Sequence, residues 1–383
     1  MGRPKWEYYP EATVHSKWPP PSENMNFALK LQHFCNKPAL FGCFLKREGS
    51  RGILVRSMST TGKPNVYVTR RIPQKALDLL QGECNVAQWD ADNPVPRVEL
   101  LKGVKGIDGL YCLLTDKIDT EVLDAAGPGL KAVSTMSVGY DHVSLPELRK
   151  RKLPLGYTPD VLTDATAELT VALLLTTSRR LVEGVQEVKS GGWGTWIPLW
   201  MCGSGLSGST VGIVGLGRIG AAVAERLKPF GVSRFLYHGR NPKPEAAGKV
   251  GAEHVGLDDL LSESDFVIAT CALTPETKEM FNKTVFSKMK SSAIFINTSR
   301  GGVVHQEDLC EALKSGTIKA AGLDVTTPEP LPTDHPLLTL DNCVVLPHIG
   351  SATVETRTEM AVLAARNLLA GLKGEKMPAQ VQL

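Results

Sequence analysis

No stretch of this chain approaches the ~18 consecutive apolar residues that would cross a bilayer, so no membrane association is expected. Nor does any CxxC pair occur among the eight cysteines, Cys35, Cys43, Cys84, Cys112, Cys202, Cys271, Cys310 and Cys343. In a chain of 383 residues they read as reduced thiols, not as a disulfide frame. The eight histidines lack HxH and HExxH spacing, and no metal site is expected. Short tandem repeats and low-complexity segments are missing as well. Large net charge is absent too: the total is +3, and it is unevenly spread. Residues 1–65 hold ten Lys/Arg and four Glu, whereas the remainder holds 33 Lys/Arg against 36 Asp/Glu. A slightly acidic body gives no reason to invoke nucleic acid.

What is present suggests two domains and an extra segment, at ~150 residues per domain. The extra segment is Met1 to about Lys63. It contains "WPPPSEN", a loop signal, and a basic stretch from Met25 in which Glu48 is the sole acid. Such composition suits a mitochondrial transit peptide. A tail, or an upstream start bypassed in favour of Met25 or Met58, suits it equally. The compartment is accordingly expected to be cytoplasmic, or mitochondrial if the segment targets the chain.

From Asn65 short β-branched runs alternate with helical patterning: "NVYVTRRIP", "QKALDLLQG", "CNVAQWD", "GLYCLLT", "LKAVSTMSVGYDHV". Alternation of this kind implies a parallel sheet. A long helical stretch, "TDATAELTVALLLTTSRRLVEGVQEVKSGGW", follows. Thr163 or Asp164 can cap it, and its apolar middle must be buried. A second alternating series runs from "STVGIVGLGRIG" through "RFLYHGR", "SDFVIATCAL", "SAIFINTSR" and "IKAAGLDV" to "CVVLPHIG", before a last helix. The expected fold is α/β, with two Rossmann-like domains built on parallel sheets.

Gly215, Gly217 and Gly220 form GxGxxG between an apparent strand and an apparent helix, the context a dinucleotide motif requires. Gly215 permits the tight turn, Gly217 lets backbone approach a pyrophosphate, and Gly220 lets helix pack on strand. The helix start, at Arg218 and Ile219, then offers bare N–H groups to the phosphates. About twenty residues on, an Asp or Glu would bond the ribose 2′-hydroxyl of NAD. Here "FLYHGRNPKP" supplies Gly239, Arg240, Asn241, Pro242 and Lys243 instead. Removing the acid removes repulsion of a 2′-phosphate, and Arg240 adds a donor fork. Two charged hydrogen bonds at ~1.5–3 kcal/mol each would favour NADP by about a hundredfold or more. The expected cofactor is NADPH/NADP, with NADH weaker. Ala272 and Thr298, which follow later strands, are expected to line the same site.

Arg300, Glu329 and His348 lie at or after strand ends in "INTSRGGVV", "GLDVTTPEPLP" and "VVLPHIGSAT", where open α/β sheets bind ligands. Reduction of a 2-oxo acid places negative charge on the carbonyl oxygen. Arg300 can hold the carboxylate and polarise that carbonyl, His348 can deliver the proton, and Glu329 can orient the imidazole.

With these residues in order after the glycine motif, the chain from about Asn65 to Leu383 resembles the D-isomer-specific 2-hydroxyacid dehydrogenase family. Within it, the similarity is to the branch that reduces glyoxylate and hydroxypyruvate. The resemblance implies catalytic Arg300, Glu329 and His348, and a substrate loop "SVGYDH" whose backbone at Val138 and Gly139 binds carboxylate. Asp324 and Gly350 also fall on site positions, without an assignable chemical role for Asp324. It further implies a discontinuous substrate domain, 64–162 with 354–383, enclosing an NADP-binding Rossmann domain, 163–353, after the 1–63 extension. "GGWGTWIPLW" places Trp193, Trp196 and Trp200 close together. The family implies a homodimer with such an arm on the partner, and Trp196 either reaches the neighbour's substrate cleft or only packs the interface.

Three rivals remain open. A 3-phosphoglycerate dehydrogenase would need a cationic phosphate pocket, and no Lys/Arg cluster adjoins "SVGYDH". A D-lactate-type enzyme using NAD would be expected to carry the missing acid. A nucleotide-sensing corepressor of the same fold would use NAD(H) and a peptide cleft.

Overall fold

The computed structural model describes residues 54–55 and 62–383; the rest of the predicted 1–63 extension, with Cys35 and Cys43, lies outside the described residues. In the first half the elements are β1 (Leu54–Val55), β2 (Asn65–Val68), α1 (Gln74–Glu83), β3 (Asn85–Trp89) and α2 (Arg97–Gly103). There follow β4 (Gly109–Cys112), α3 (Thr120–Ala126), β5 (Ala132–Thr135), α4 (Leu145–Arg151) and β6 (Leu155–Gly156). The strands form one sheet in the order β1-β3-β2-β4-β5-β6. All neighbours are parallel except β1, which adds an antiparallel edge against β3 that the sequence did not announce.

Two helices lead to the second half, α5 (Thr163–Ser178) and α6 (Leu181–Ser190). A single long helix was expected here. It breaks because Arg180 takes a left-handed conformation, φ 54°, and turns its guanidinium onto Glu183. α5 buries its apolar middle, Leu173 and Leu174 included, as its composition requires. Its side-chain cap does not form: the N-cap is Leu162, and Asp164 instead pairs with Arg226 at 2.7 Å.

The second sheet is built from β7 (Thr210–Val214), α7 (Arg218–Leu227), β8 (Arg234–His238), α8 (Pro244–Val250), β9 (Ala252–His254), α9 (Leu257–Glu263) and β10 (Phe266–Ala269). It continues with α10 (Lys283–Phe286), β11 (Ile294–Asn297), α11 (Gln306–Lys314), β12 (Ala320–Leu323) and β13 (Cys343–Val345). Strand order is β13-β12-β11-β10-β7-β8-β9, all parallel, with the chain reversing direction between β7 and β10. That reversal is the switch point at which such sheets bind ligands. α5 and α7 cover one face, and a core of Leu260, Phe286, Phe295 and Leu309 fills the other.

The last helix, α12 (Val354–Leu372), returns to the first sheet. Ser134 donates to the Ala364 carbonyl at 2.9 Å. Fully buried Asn367 donates to the Tyr157 carbonyl and accepts from Ala379 N–H, both at 2.8 Å. Gly156 admits this contact, since a Cβ there would lie 2.5 Å from Asn367 Cβ. Among the described residues no helix is long and apolar enough to cross a membrane.

Candidate active site

The three motif glycines answer to three different constraints. Gly215 has φ 100°, and a Cβ there would meet the backbone of Cys271 at 2.7 Å. A Cβ on Gly220 would lie 2.5 Å from the Gly215 carbonyl, so this glycine lets α7 sit on β7. At Gly217 an added Cβ meets nothing within 4 Å, which leaves open space above the backbone. Beyond it the amides of Arg218, Ile219 and Gly220 have no hydrogen-bond partner among the described residues. An open floor, bare amides and the positive end of a ten-residue helix fit a pyrophosphate.

Gly215 and Gly217 open into a cleft of about 650 Å³ that Arg240, Asn241, Lys243, Ala272 and Glu276 also line. The loop after β8 is held by Tyr237, whose hydroxyl accepts the Lys243 amide at 3.0 Å. Arg240 reaches across to Glu276 at 3.4 Å, and Thr274 also donates to that carboxylate. The Thr274 hydrogen bond holds the Glu276 pKa below the usual range, with Arg240 adding to it. Neighbouring Pro242 is exposed. Other expected cofactor residues are engaged elsewhere by their side chains. Arg218 pairs with Asp160 at 2.5 Å, and Thr298 is buried in a 2.8 Å hydrogen bond with Thr170. Ile219 packs against the cores of both sheets.

The reactive side chains come together at the carboxyl ends of the strands. Fully buried Asn297 accepts from Ser299 N–H and donates to the Arg300 carbonyl at 2.9 Å, folding the turn after β11. From that turn Arg300 extends to the loop after β5. Its Nε donates to Asp141 at 3.0 Å and its Nη1 to the Ser299 carbonyl at 2.9 Å. Its Nη2 has no partner among the described residues and lies against Gly139, where a Cβ would sit 1.9 Å from it. The amides of Val138 and Gly139 also have no partner among the described residues. Burial alone would raise the Asp141 pKa, but the charge and hydrogen bond of Arg300 outweigh it and hold the value low.

His348 Nδ1 meets Glu329 Oε2 at 2.8 Å, and Thr326 N–H donates to Glu329 Oε1 at 3.1 Å. Burial opposes the Glu329 charge, yet His348, Thr326 N–H and Arg300 together hold its pKa below the carboxylate range. Gln306, which sequence reading missed, clamps the Glu329 loop by exchanging two hydrogen bonds with the Thr327 backbone. A Cβ on Gly301 would lie 1.9 Å from the Thr326 carbonyl, so this glycine lets the Arg300 turn touch the Glu329 loop. With Nδ1 on Glu329, only Nε2 of His348 is free to face a substrate.

Two further groups of expected site residues have the following surroundings. Asp324 is 1 % exposed, and its oxygens accept from Ile349 N–H and Gly350 N–H, each at 2.8 Å. Its carbonyl takes the His348 amide at 2.9 Å. Asp324 is therefore tied to the backbone of Ile349 and Gly350. Together they hold the turn in which His348 sits at φ 54°. Burial pushes the Asp324 pKa up, against the pull of the two amides. Trp196 is 79 % exposed, on a surface continuous in sequence with Val185, Val188, Trp193 and Leu199, all exposed.

Asp324→Asn sets an NH2 against one of two buried N–H donors. It should cost about 1–3 kcal/mol of stability. The turn carrying His348 should also loosen, lowering kcat more than it raises KM for substrate. Thermal denaturation and steady-state kinetics on the same preparation check both; an unchanged kcat would contradict the positioning of His348 by Asp324.

Residues 171–350 match the family described as D-isomer specific 2-hydroxyacid dehydrogenase, NAD binding domain. The glyoxylate reductase/hydroxypyruvate reductase of Homo sapiens is 61% identical over 320 residues, covering 83% of this chain and 98% of its own. A Thermus thermophilus structure superposes with a TM-score of 0.76 at 47% identity, covering 83% of this chain and 100% of that one. The structure of an NADPH-dependent glyoxylate/hydroxypyruvate reductase from Sinorhizobium meliloti, in complex with NADP and malonate, superposes with a TM-score of 0.72 at 31% identity, covering 83% and 97%. On these grounds, and with the glycine cradle and the Arg–Glu–His cluster in place, the chain belongs to the D-isomer specific 2-hydroxyacid dehydrogenase family.

Proposed function

We propose that the chain reduces glyoxylate to glycolate and hydroxypyruvate to D-glycerate with NADPH, NADH serving less well. The observation that carries this is a set of three donors without a partner among the described residues, Arg300 Nη2 and the Val138 and Gly139 amides, together with a His348 whose Nδ1 is already taken by Glu329. The relatives named glyoxylate/hydroxypyruvate reductase support the substrate class, and the Sinorhizobium complex with NADP supports the cofactor.

The substrate carboxylate lies against the two amides and Arg300 Nη2, a planar anion on matching donors. The hydride for the 2-oxo carbon comes from the reduced nicotinamide, which is the chemistry the cofactor supplies when bound. As negative charge grows on the carbonyl oxygen, Arg300 stabilises it and His348 delivers a proton from Nε2. Glu329 accepts from Nδ1–H and so fixes the orientation of the imidazole. At the far end of the cleft Arg240, with Lys243 or Asn241, would hold a 2′-phosphate in place of Glu276.

In this reading 163–353 is the cofactor domain, and 64–162 with 354–383 is the substrate domain. The exposed apolar surface of 181–199 docks a second copy as a homodimer, with Trp196 on the partner's cleft or its rim. The compartment is cytoplasmic, or mitochondrial if the segment before residue 63 targets the chain.

Assay of the purified chain with glyoxylate, hydroxypyruvate, pyruvate and 3-phosphohydroxypyruvate, each with NADPH and NADH, tests the whole. Turnover of the first two with NADPH is expected; none would favour the corepressor reading. His348→Gln should slow reduction by roughly 10²–10⁴, and wild-type turnover would place the acid elsewhere. Arg240→Asp should reverse the cofactor preference; an unchanged NADPH/NADH ratio of kcat/KM would rule out Arg240 as its source.

A further inference from the structure

Beneath the substrate loop runs a buried chain of hydrogen bonds that the reaction itself does not use. His142 Nε2 lies 2.9 Å from Thr135 Oγ1, Thr135 Oγ1 lies 2.9 Å from Ser137 Oγ, and Ser137 donates to the Gly139 carbonyl at 2.7 Å. Thr135 is fully buried and Ser137 is 2 % exposed.

The direction of every proton in this chain follows from its last member. A carbonyl only accepts, so the single Ser137 hydroxyl proton goes to Gly139. Ser137 then accepts from Thr135, whose one proton is thereby used. Thr135 can only accept from its other neighbours, the buried Cys112 thiol and His142, which makes His142 the Nε2–H tautomer. His142 Nδ1 is left buried without a partner, a site where an added proton would find no acceptor. Burial accordingly pushes the His142 pKa down to about 4, and the ring stays neutral at ordinary pH.

Two adjacent residues therefore anchor one loop. Asp141 holds Arg300, and His142 reaches the Gly139 carbonyl through Thr135 and Ser137. We infer that His142, Thr135 and Ser137 are positioning residues for the substrate carboxylate, their proton-ordered chain holding the Val138 and Gly139 amides in register with Arg300 Nη2. The inference rests on the reading that this loop receives the carboxylate. A neutral chain suits the task, since a charge there would act on the bound carboxylate and the arginine together.

The test uses three variants of the full chain. Ser137→Ala removes one hydroxyl. His142→Phe keeps a ring and removes the donor, and His142→Gln restores a side-chain N–H. A misplaced donor pair should raise KM for glyoxylate roughly ten- to a hundredfold. That rise is expected in Ser137→Ala and His142→Phe, with a smaller change in kcat and none in KM for NADPH. His142→Gln should recover most of it. Amide hydrogen exchange across 136–140 should quicken in the first two variants. Wild-type KM and exchange in both would overturn the inference, and if His142→Phe does not fold, Ser137→Ala alone decides. A wild type without glyoxylate turnover would sink the reductase reading, leaving hydrogen exchange to judge the chain of protons.

Discussion

Arg300 lies against the α-carbon of Gly139 with no room for a side chain between them. That contact joins a turn of the second sheet to a loop of the first, and the rest of the site is arranged around it. Asp141 takes Nε and the Ser299 carbonyl takes Nη1, so the guanidinium is fixed at two nitrogens and presents the third. Fixing a long side chain in this way removes rotamer entropy before a ligand arrives. Gly139 is thus required for a reason unrelated to its own φ: any side chain would displace the arginine.

The proton-handling half depends on a separate piece of stored work. A histidine at φ 54° is an uncommon conformation, and Asp324 holds it there with both oxygens and its carbonyl. Burying that carboxylate is unfavourable taken alone, as the upward push on its pKa records. Two backbone donors offset the cost. The result is an imidazole whose Nδ1 meets Glu329 and whose Nε2 faces open space. Gln306 and Gly301 act at one remove, clamping the Glu329 loop and letting it touch the Arg300 turn.

Much of this was legible beforehand because it depends on local chemistry. Gly215, Gly217 and Gly220 stood between a strand and a helix, and Arg300, Glu329 and His348 each followed a strand. Arg240 was conspicuous because an acid was missing. The residues that sequence reading missed, or to which it gave no chemical role, act through distant partners. Asp324 and Gly350 satisfy each other across 26 residues, and Asp141 and Arg300 meet across 159. Thr135 and His142 carry no motif at all. The break between α5 and α6 falls at Arg180, with neither Gly nor Pro to mark it. β9, Ala-Glu-His, is too short and polar to show a strand's pattern.

The central claim is that both sheets contribute to a single carboxylate cradle, with the proton donor on its open side. A crystal structure of the enzyme with NADP and oxalate tests it most directly. The account predicts one oxalate carboxylate within hydrogen-bonding distance of Arg300 Nη2 and of the Val138 and Gly139 amides, with His348 Nε2 on an oxygen of the other. Oxalate bound away from the 138–139 loop, or His348 turned from it, would contradict the account.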